Sequence, residues 1–154
     1  MNKIAIKFCS YTDKSQTFSF QRDRWLRSAH RALDDGGRLA ITDLLLPRAP
    51  TLLDRLALQF ICMMAGVPFA NLMSRERYEA TLREQGWTEI QLEDISASVY
   101  PGFLRFIKEH GEAMGPALSA WGGLAGYARV VEWYSRPERP RLAFYIISAR
   151  KRGP

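Results

Sequence analysis

The chain has 154 residues, 47% hydrophobic and 25% charged, which suits one domain with a real core and excludes a disordered chain. Its 22 Lys+Arg against 16 Asp+Glu give a net charge of +6, which admits an anionic partner without selecting one. The arginines are dispersed, apart from clusters at Arg136–Arg141 and Arg150–Arg152, and no nucleic-acid-binding motif accompanies them. Solvated arginine faces, and no specific nucleic acid, are therefore expected.

Residues 2–11 alternate, with Ile4, Ile6 and Phe8 on one face, and predict a first strand. Residues 12–20 are polar and turn-like, interrupted by Phe18 and Phe20. The next stretch, 24–47, reads as helix, glycine stop and strand. Leu26, Ala29 and Leu33 share a helix face, and Arg22, Arg24, Arg27 and Arg31 are expected mostly on the other. Asp34-Asp35-Gly36-Gly37 ends the helix, because glycine adopts the left-handed C-cap conformation without a Cβ clash. Arg38–Leu46 is short, apolar and branched, as expected for a strand covered on both faces of a parallel sheet. Asp43 lies near its carboxyl end, where such sheets place ligand groups.

Thr51 is a candidate N-cap for a helix over Leu52–Ala65, with Leu53, Leu56, Ala57, Phe60 and Met64 on one side. Leu56–Met73 is 18 residues without a charge, but Gly66 and Pro68 interrupt it. A buried or lid helix pair is expected there rather than a membrane span, with peripheral membrane contact left open. Ser74 opens a helix with Tyr78 and Leu82 inward, and Gly86 stops it. Trp87–Ile95 alternates as a strand. Ser96–Pro101 reads as a loop, with a helix beginning at Pro101 that carries Phe103, Leu104 and Ile107. A further helical stretch covers Leu118–Tyr134, and Arg141–Arg150 is a final strand.

Cys9 and Cys62 lack CxxC or Cys/His spacing, so neither a disulfide framework nor a metal site is expected. Reduced thiols and an N-terminus without a secretory signal suit an intracellular, cytoplasmic setting.

The segment 24–47 resembles the part of class I S-adenosylmethionine-dependent methyltransferases that runs from the helix after the fourth strand into the fifth. The family reads Leu-x-Pro-Gly-Gly-x-Leu there; Asp35 takes the proline position. Ser74, Tyr78, Leu82, Gly86 and Trp87 match the family's next helix and turn, and Tyr-Ile-Ile-Ser-Ala-Arg-Lys at 145–151 resembles its last, antiparallel strand. The resemblance covers nearly the whole chain and is closest to the quinone, tocopherol and sterol enzymes. It implies an α/β fold: an incomplete Rossmann-like sheet of strands four to seven, last strand antiparallel, with helical insertions, forming one domain over 1–154.

The resemblance also implies S-adenosylmethionine as cofactor and a hydrophobic small molecule as methyl acceptor. Cys9, Ser10 and Tyr11, just after the fourth strand, would lie near the transferred methyl. Asp43 would bind the acceptor or cap a loop. Phe60, Met64, Tyr100, Phe103, Trp121 and Tyr127, from the two insertions, would line the acceptor pocket or fill the core. The chain has no G-x-G-x-G cofactor loop, so the cofactor-binding half is expected to be missing. A sheet of this kind leaves an open edge, so a homodimer or a complementary chain is the expected partner. The alternative is a non-catalytic, methyltransferase-like subunit or binding module. His30, on the arginine-rich helix, is expected to be solvated rather than a general base, and His110, at a helix end before Gly111, to make a C-terminal dipole contact.

Overall fold

A computed structural model describes residues 4–8, 18–110 and 121–153. Chain order is β1 (Ile4–Phe8), α1 (Phe18–Ala32), β2 (Arg38–Leu45), α2 (Leu52–Met64), a 3-10 turn (Phe69–Asn71), α3 (Arg75–Glu84), β3 (Trp87–Asp94), α4 (Ser96–His110), α5 (Gly123–Ser135) and β4 (Ala143–Lys151). The strands form one sheet in the order β1-β2-β4-β3. β1 and β2 are parallel, with Ile4 opposite Arg38 and Phe8 opposite Thr42. β4 runs antiparallel to both neighbours, with Leu45 opposite Ala143 on one side and Asp94 opposite Tyr145 on the other. The expected incomplete sheet with an antiparallel last strand is therefore present. The sequence did not reveal that this last strand sits between β2 and β3.

The main core lies on one face of the sheet. Leu26, Ala29 and Leu33 of α1 and Tyr78 and Leu82 of α3 pack on Leu39, Ile41 and Leu45 of β2 and on Ala143, Tyr145 and Ile147 of β4. The turn from α1 into β2 is anchored to the end of β4. Gly36 takes φ +75°, its N–H donates to Lys151 O, and Lys151 Nζ donates to Leu33 O at the α1 C-terminus. A cation there offsets the unpaired carbonyls of the last turn.

Four local expectations change. Helix α1 starts at Phe18, inside the stretch read as turn-like. Strand β2 is not covered equally on its two faces: Leu39, Ile41, Asp43 and Leu45 are buried, whereas Ala40, Thr42 and Leu44 are half-buried. Ser96–Pro101 is helix rather than loop. Asp94 accepts from Ser96 N–H at 2.9 Å and Ser96 Oγ accepts from Phe144 N–H at 2.9 Å, which fixes the start of α4 before Pro101. Proline is tolerated in the second turn because the one carbonyl it leaves unpaired belongs to exposed Ala97.

The fourth change concerns α2. Thr51 caps it as expected, with Oγ1 accepting from Asp54 N–H. The inward face, however, is Asp54, Leu58 and Cys62, and the expected face of Leu53, Leu56 and Phe60 points outward. Electrostatics selects this rotation. Asp54 accepts from Arg141 Nε at 2.7 Å and from Arg139 Nη2 at 2.9 Å. Arg141 in turn lies 4.1 Å over the Trp133 ring and donates to Trp133 O. Turning Leu53 inward would carry Asp54 off both arginines.

The Arg141 hydrogen bond holds the Asp54 carboxyl well below the usual carboxylate range, against the burial that would raise it; Thr51 and Arg139 add to the lowering. A carboxylate with a depressed native pKa stabilises the fold at neutral pH, and that contribution fades as pH falls below the ordinary carboxylate pKa. Asp54→Asn is expected to cost about 2 kcal/mol at pH 7, the scale of charge-assisted hydrogen bonds. Urea unfolding at neutral and acidic pH checks this: the gap between the two proteins should narrow in acid.

Candidate functional site

Two concavities stand out among the described residues. The larger, of about 670 Å³, lies between α1 and α3 and is walled by charged and polar side chains, among them Asp23, Arg27, Arg31, Arg77 and Glu84. It is open and carries both signs of charge, as expected of a solvated groove between two surface helices. His30 lines it, half-buried, with its ring edge-on to Trp87 at 5.0 Å and its Nε2 buried, which corrects the solvated position expected for it.

The smaller cavity, of about 290 Å³, is almost wholly apolar. Its floor is the partly covered sheet face, Leu44 of β2 and Phe144 of β4. Ile61, Cys62 and Ala65, in and just after α2, form one wall; Phe103 of α4 and Trp121, Tyr127, Val130 and Tyr134 from the α5 region form another. The aromatic rings support each other edge to face: Trp121 and Tyr127 lie 5.6 Å apart, Phe103 and Tyr127 6.5 Å. Such contacts fix ring orientation as well as burying area. Burial raises the Tyr127 hydroxyl above its ordinary pKa, so it is a neutral donor at physiological pH.

Of the residues the sequence nominated, Phe103, Trp121 and Tyr127 converge on this cavity. Phe60 does not; it is 58% exposed on the outer face of α2. Met64 is half-buried and outside the lining. Tyr100 sits behind the cavity in the core, its hydroxyl donating to Leu142 O at 3.0 Å and its ring against Tyr134 and Phe144. Cys9, Ser10 and Tyr11 lie outside the described residues. His110 stacks on Phe106 and contacts its carbonyl at the exposed end of α4.

Asp43 does not face the cavity. It alternates with Leu44 along β2 and points into the opposite layer. There Arg22 Nε lies 3.1 Å from Asp43 Oδ2, an ion pair rather than an aligned hydrogen bond. Arg22 Nη1 donates to Asn71 O at 3.1 Å, its guanidinium lies 5.4 Å from the Tyr78 ring centre, and Asp43 Oδ1 accepts from Leu44 N–H at 2.8 Å. Arg22 is only 6% exposed, which corrects its assignment to the solvent face of α1. The signal was its spacing: Arg22, Leu26, Ala29 and Leu33 form one stripe. Sequence reasoning also missed Cys62 and Val130 of the cavity wall. Burial pushes the Cys62 thiol up to about 11, which keeps it protonated at neutral pH.

No protein-family model matches the chain. Over 131 residues, 84% of the chain, it is 30% identical to 27-O-demethylrifamycin SV methyltransferase of Amycolatopsis mediterranei (strain S699). The match takes in 47% of that protein, so the chain spans about half the length of this curated relative. Among solved structures it resembles Haemonchus contortus phosphoethanolamine N-methyltransferase 2 in complex with S-adenosyl-L-methionine, with TM-score 0.69, 14% identity, and 97% of this chain aligned to 33% of that one. It also resembles geranyl diphosphate C-methyltransferase from Streptomyces coelicolor A3(2), with TM-score 0.60, 14% identity, and 96% of this chain aligned to 45% of that one. The [4+2]-cyclase SpnF aligns with TM-score 0.59 and 21% identity, over 98% of this chain and 50% of that one. With the strand order described above, the likeness to these solved structures gives the chain part of their Rossmann-like fold.

Two outcomes follow from the site's geometry. Asp43→Ala leaves Arg22 buried without its counter-charge and should cost about 3 kcal/mol in urea unfolding, whereas the paired change Arg22→Met with Asp43→Leu should recover part of it. Cys62 should resist iodoacetamide at pH 7.5 until the chain is unfolded, as read by mass spectrometry of its peptide.

Proposed function

We propose that the chain forms the acceptor-binding part of an S-adenosylmethionine-dependent methyltransferase acting on a hydrophobic small molecule. The apolar cavity between the sheet and the two helical insertions carries this reading. Its size stands at the lower end of the usual small-molecule range of roughly 300–1,000 Å³, and its few polar groups suit an apolar acceptor. Phe103, Trp121 and Tyr127 would hold that acceptor by ring contact, with the neutral Tyr127 hydroxyl as a hydrogen-bond donor. Methyl transfer of this kind relies chiefly on positioning the acceptor's nucleophile against the donor methyl. The chain's own contribution is orientation and exclusion of water.

The related enzymes named above support the reading: one is named for 27-O-demethylrifamycin SV, another for geranyl diphosphate. Cys9, Ser10 and Tyr11 would meet the cofactor from the end of β1. The sequence has no G-x-G-x-G, so the remaining cofactor contacts would come from a complementary segment or chain. That same observation favours a second reading, a methyltransferase-like subunit that binds an apolar ligand without cofactor.

Fluorescence of 1-anilinonaphthalene-8-sulfonate and calorimetry with S-adenosylhomocysteine separate the two. Val130→Trp should fill the cavity and weaken probe binding at least tenfold, about 1.4 kcal/mol. Unchanged probe affinity would remove the cavity from the mechanism. Probe binding with no heat from millimolar S-adenosylhomocysteine would establish the second reading.

A further inference from the structure

Helix α2 is apolar on both sides. Its inner side contributes Leu58, Ile61 and Cys62 to the core and the cavity wall. Its outer side carries Leu52, Leu53, Leu56, Phe60 and Met63, exposed by 73, 78, 55, 58 and 67%. Scattered exposed leucines are ordinary, but a contiguous stripe along a helix marks a contact surface. A helix that is apolar all round is normally covered.

The charge around the stripe narrows what covers it. The one acid of α2, Asp54, is buried and engaged by Arg139 and Arg141. Arg55 is exposed on the helix itself, and Arg48 is exposed just before its cap. The turn Arg136–Arg139 folds against the first turn of α2 through the Arg139–Asp54 contact and adds exposed Arg136, with Glu138 the single exposed acid there. Exposed arginines therefore outnumber exposed acids beside α2: Arg48, Arg55, Arg136 and Arg139 against Glu138. A two-fold contact with a second copy would bring like surfaces together and set these arginines near their own counterparts. An anionic bilayer matches both features, since it accepts apolar side chains at the acyl boundary and arginines at the phosphates. Among the described residues no helix is long and apolar enough to cross a membrane, so the contact would be peripheral.

We propose that the outer face of α2 docks on an anionic lipid surface, with Leu53, Leu56 and Phe60 entering the interface and Arg48, Arg55 and Arg136 facing the headgroups. The contact is independent of whether the cavity binds an acceptor. Vesicle sedimentation with the full chain tests it, comparing phosphatidylcholine alone with vesicles containing about one-third phosphatidylglycerol. The chain should sediment with the anionic vesicles at least tenfold more readily. Leu53→Ser with Phe60→Ser should abolish this without lowering the thermal midpoint, since both side chains are exposed. Arg55→Glu with Arg136→Glu should weaken it while leaving the apolar stripe intact. Equal behaviour with both vesicle types, or binding untouched by the serine pair, would overturn the proposal. So would light scattering that shows a dimer dissolved by that pair.

Discussion

The architecture depends on β4 seated between β2 and β3. Among the described strands, β3 has no other neighbour, and β2 has only β1 besides. The two contacts are long-range: Leu45 pairs with Ala143 and Trp87 with Lys151. Closing loops of that length costs entropy before any contact rewards it. The sheet therefore cannot be completed until residues 143–151 are available, and both of its layers wait on that event. Ala143, Tyr145, Ile147 and Ala149 supply the floor of the main core, while Phe144 supplies the floor of the apolar cavity. One strand thus builds the support on one face and the candidate site on the other. Asp94 and Ile95 lead directly into α4, whose first turn is tied back to Phe144 of β4.

Two buried aspartates divide the remaining work. Asp43 pairs with Arg22 beneath the sheet and joins α1, β2 and the 3-10 turn through the Asn71 carbonyl. Asp54 pairs with Arg139 and Arg141 above it and joins α2 to the segment that leads into β4. Both lie at points where an apolar contact would have sufficed for burial. A buried ion pair gains little over a hydrophobic replacement, because desolvation offsets attraction. Its consequence is orientation: the arginine fork and carboxylate accept few geometries, so each pair selects one rotation of its helix. In α1 this agrees with the apolar stripe, and in α2 it opposes it.

That difference explains what was legible in the sequence. Elements with one unambiguous apolar face were readable, namely α1, α3 and β4, and so was the glycine turn at Gly36. The chain order of the elements was readable too, through the family resemblance, but the place of β4 between β2 and β3 was not. Arg22 was misplaced because a charge was assumed to face water, although its spacing from Leu26 put it inside. Ser96–Pro101 was misread because its helix start is held by Asp94 and by the amide of Phe144, and the second of these is 48 residues away. The residues nominated for the pocket divided by element. Phe103, Trp121 and Tyr127 share a wall because α4 and α5 pack on each other. Phe60 and Met64 lie outside that cavity because the rotation of α2 is set by Asp54 and its arginines.

The rotation of α2 also shows how the outer stripe arises. Hydrophobic periodicity asks which face of a helix is most apolar, and for α2 it answers with Leu53, Leu56 and Phe60. The fold answers with Asp54, Leu58 and Cys62, because Arg141, held over Trp133, and Arg139 both engage Asp54. The more apolar face is therefore left outside by a specific interaction rather than by weak packing. A solvent-facing helix surface with no other role would lose little by carrying polar residues at these positions, and α1 and α3 show that pattern on their outer faces. The proposed lipid contact accounts for Leu52, Leu53, Leu56, Phe60 and Met63 standing outside, next to exposed arginines.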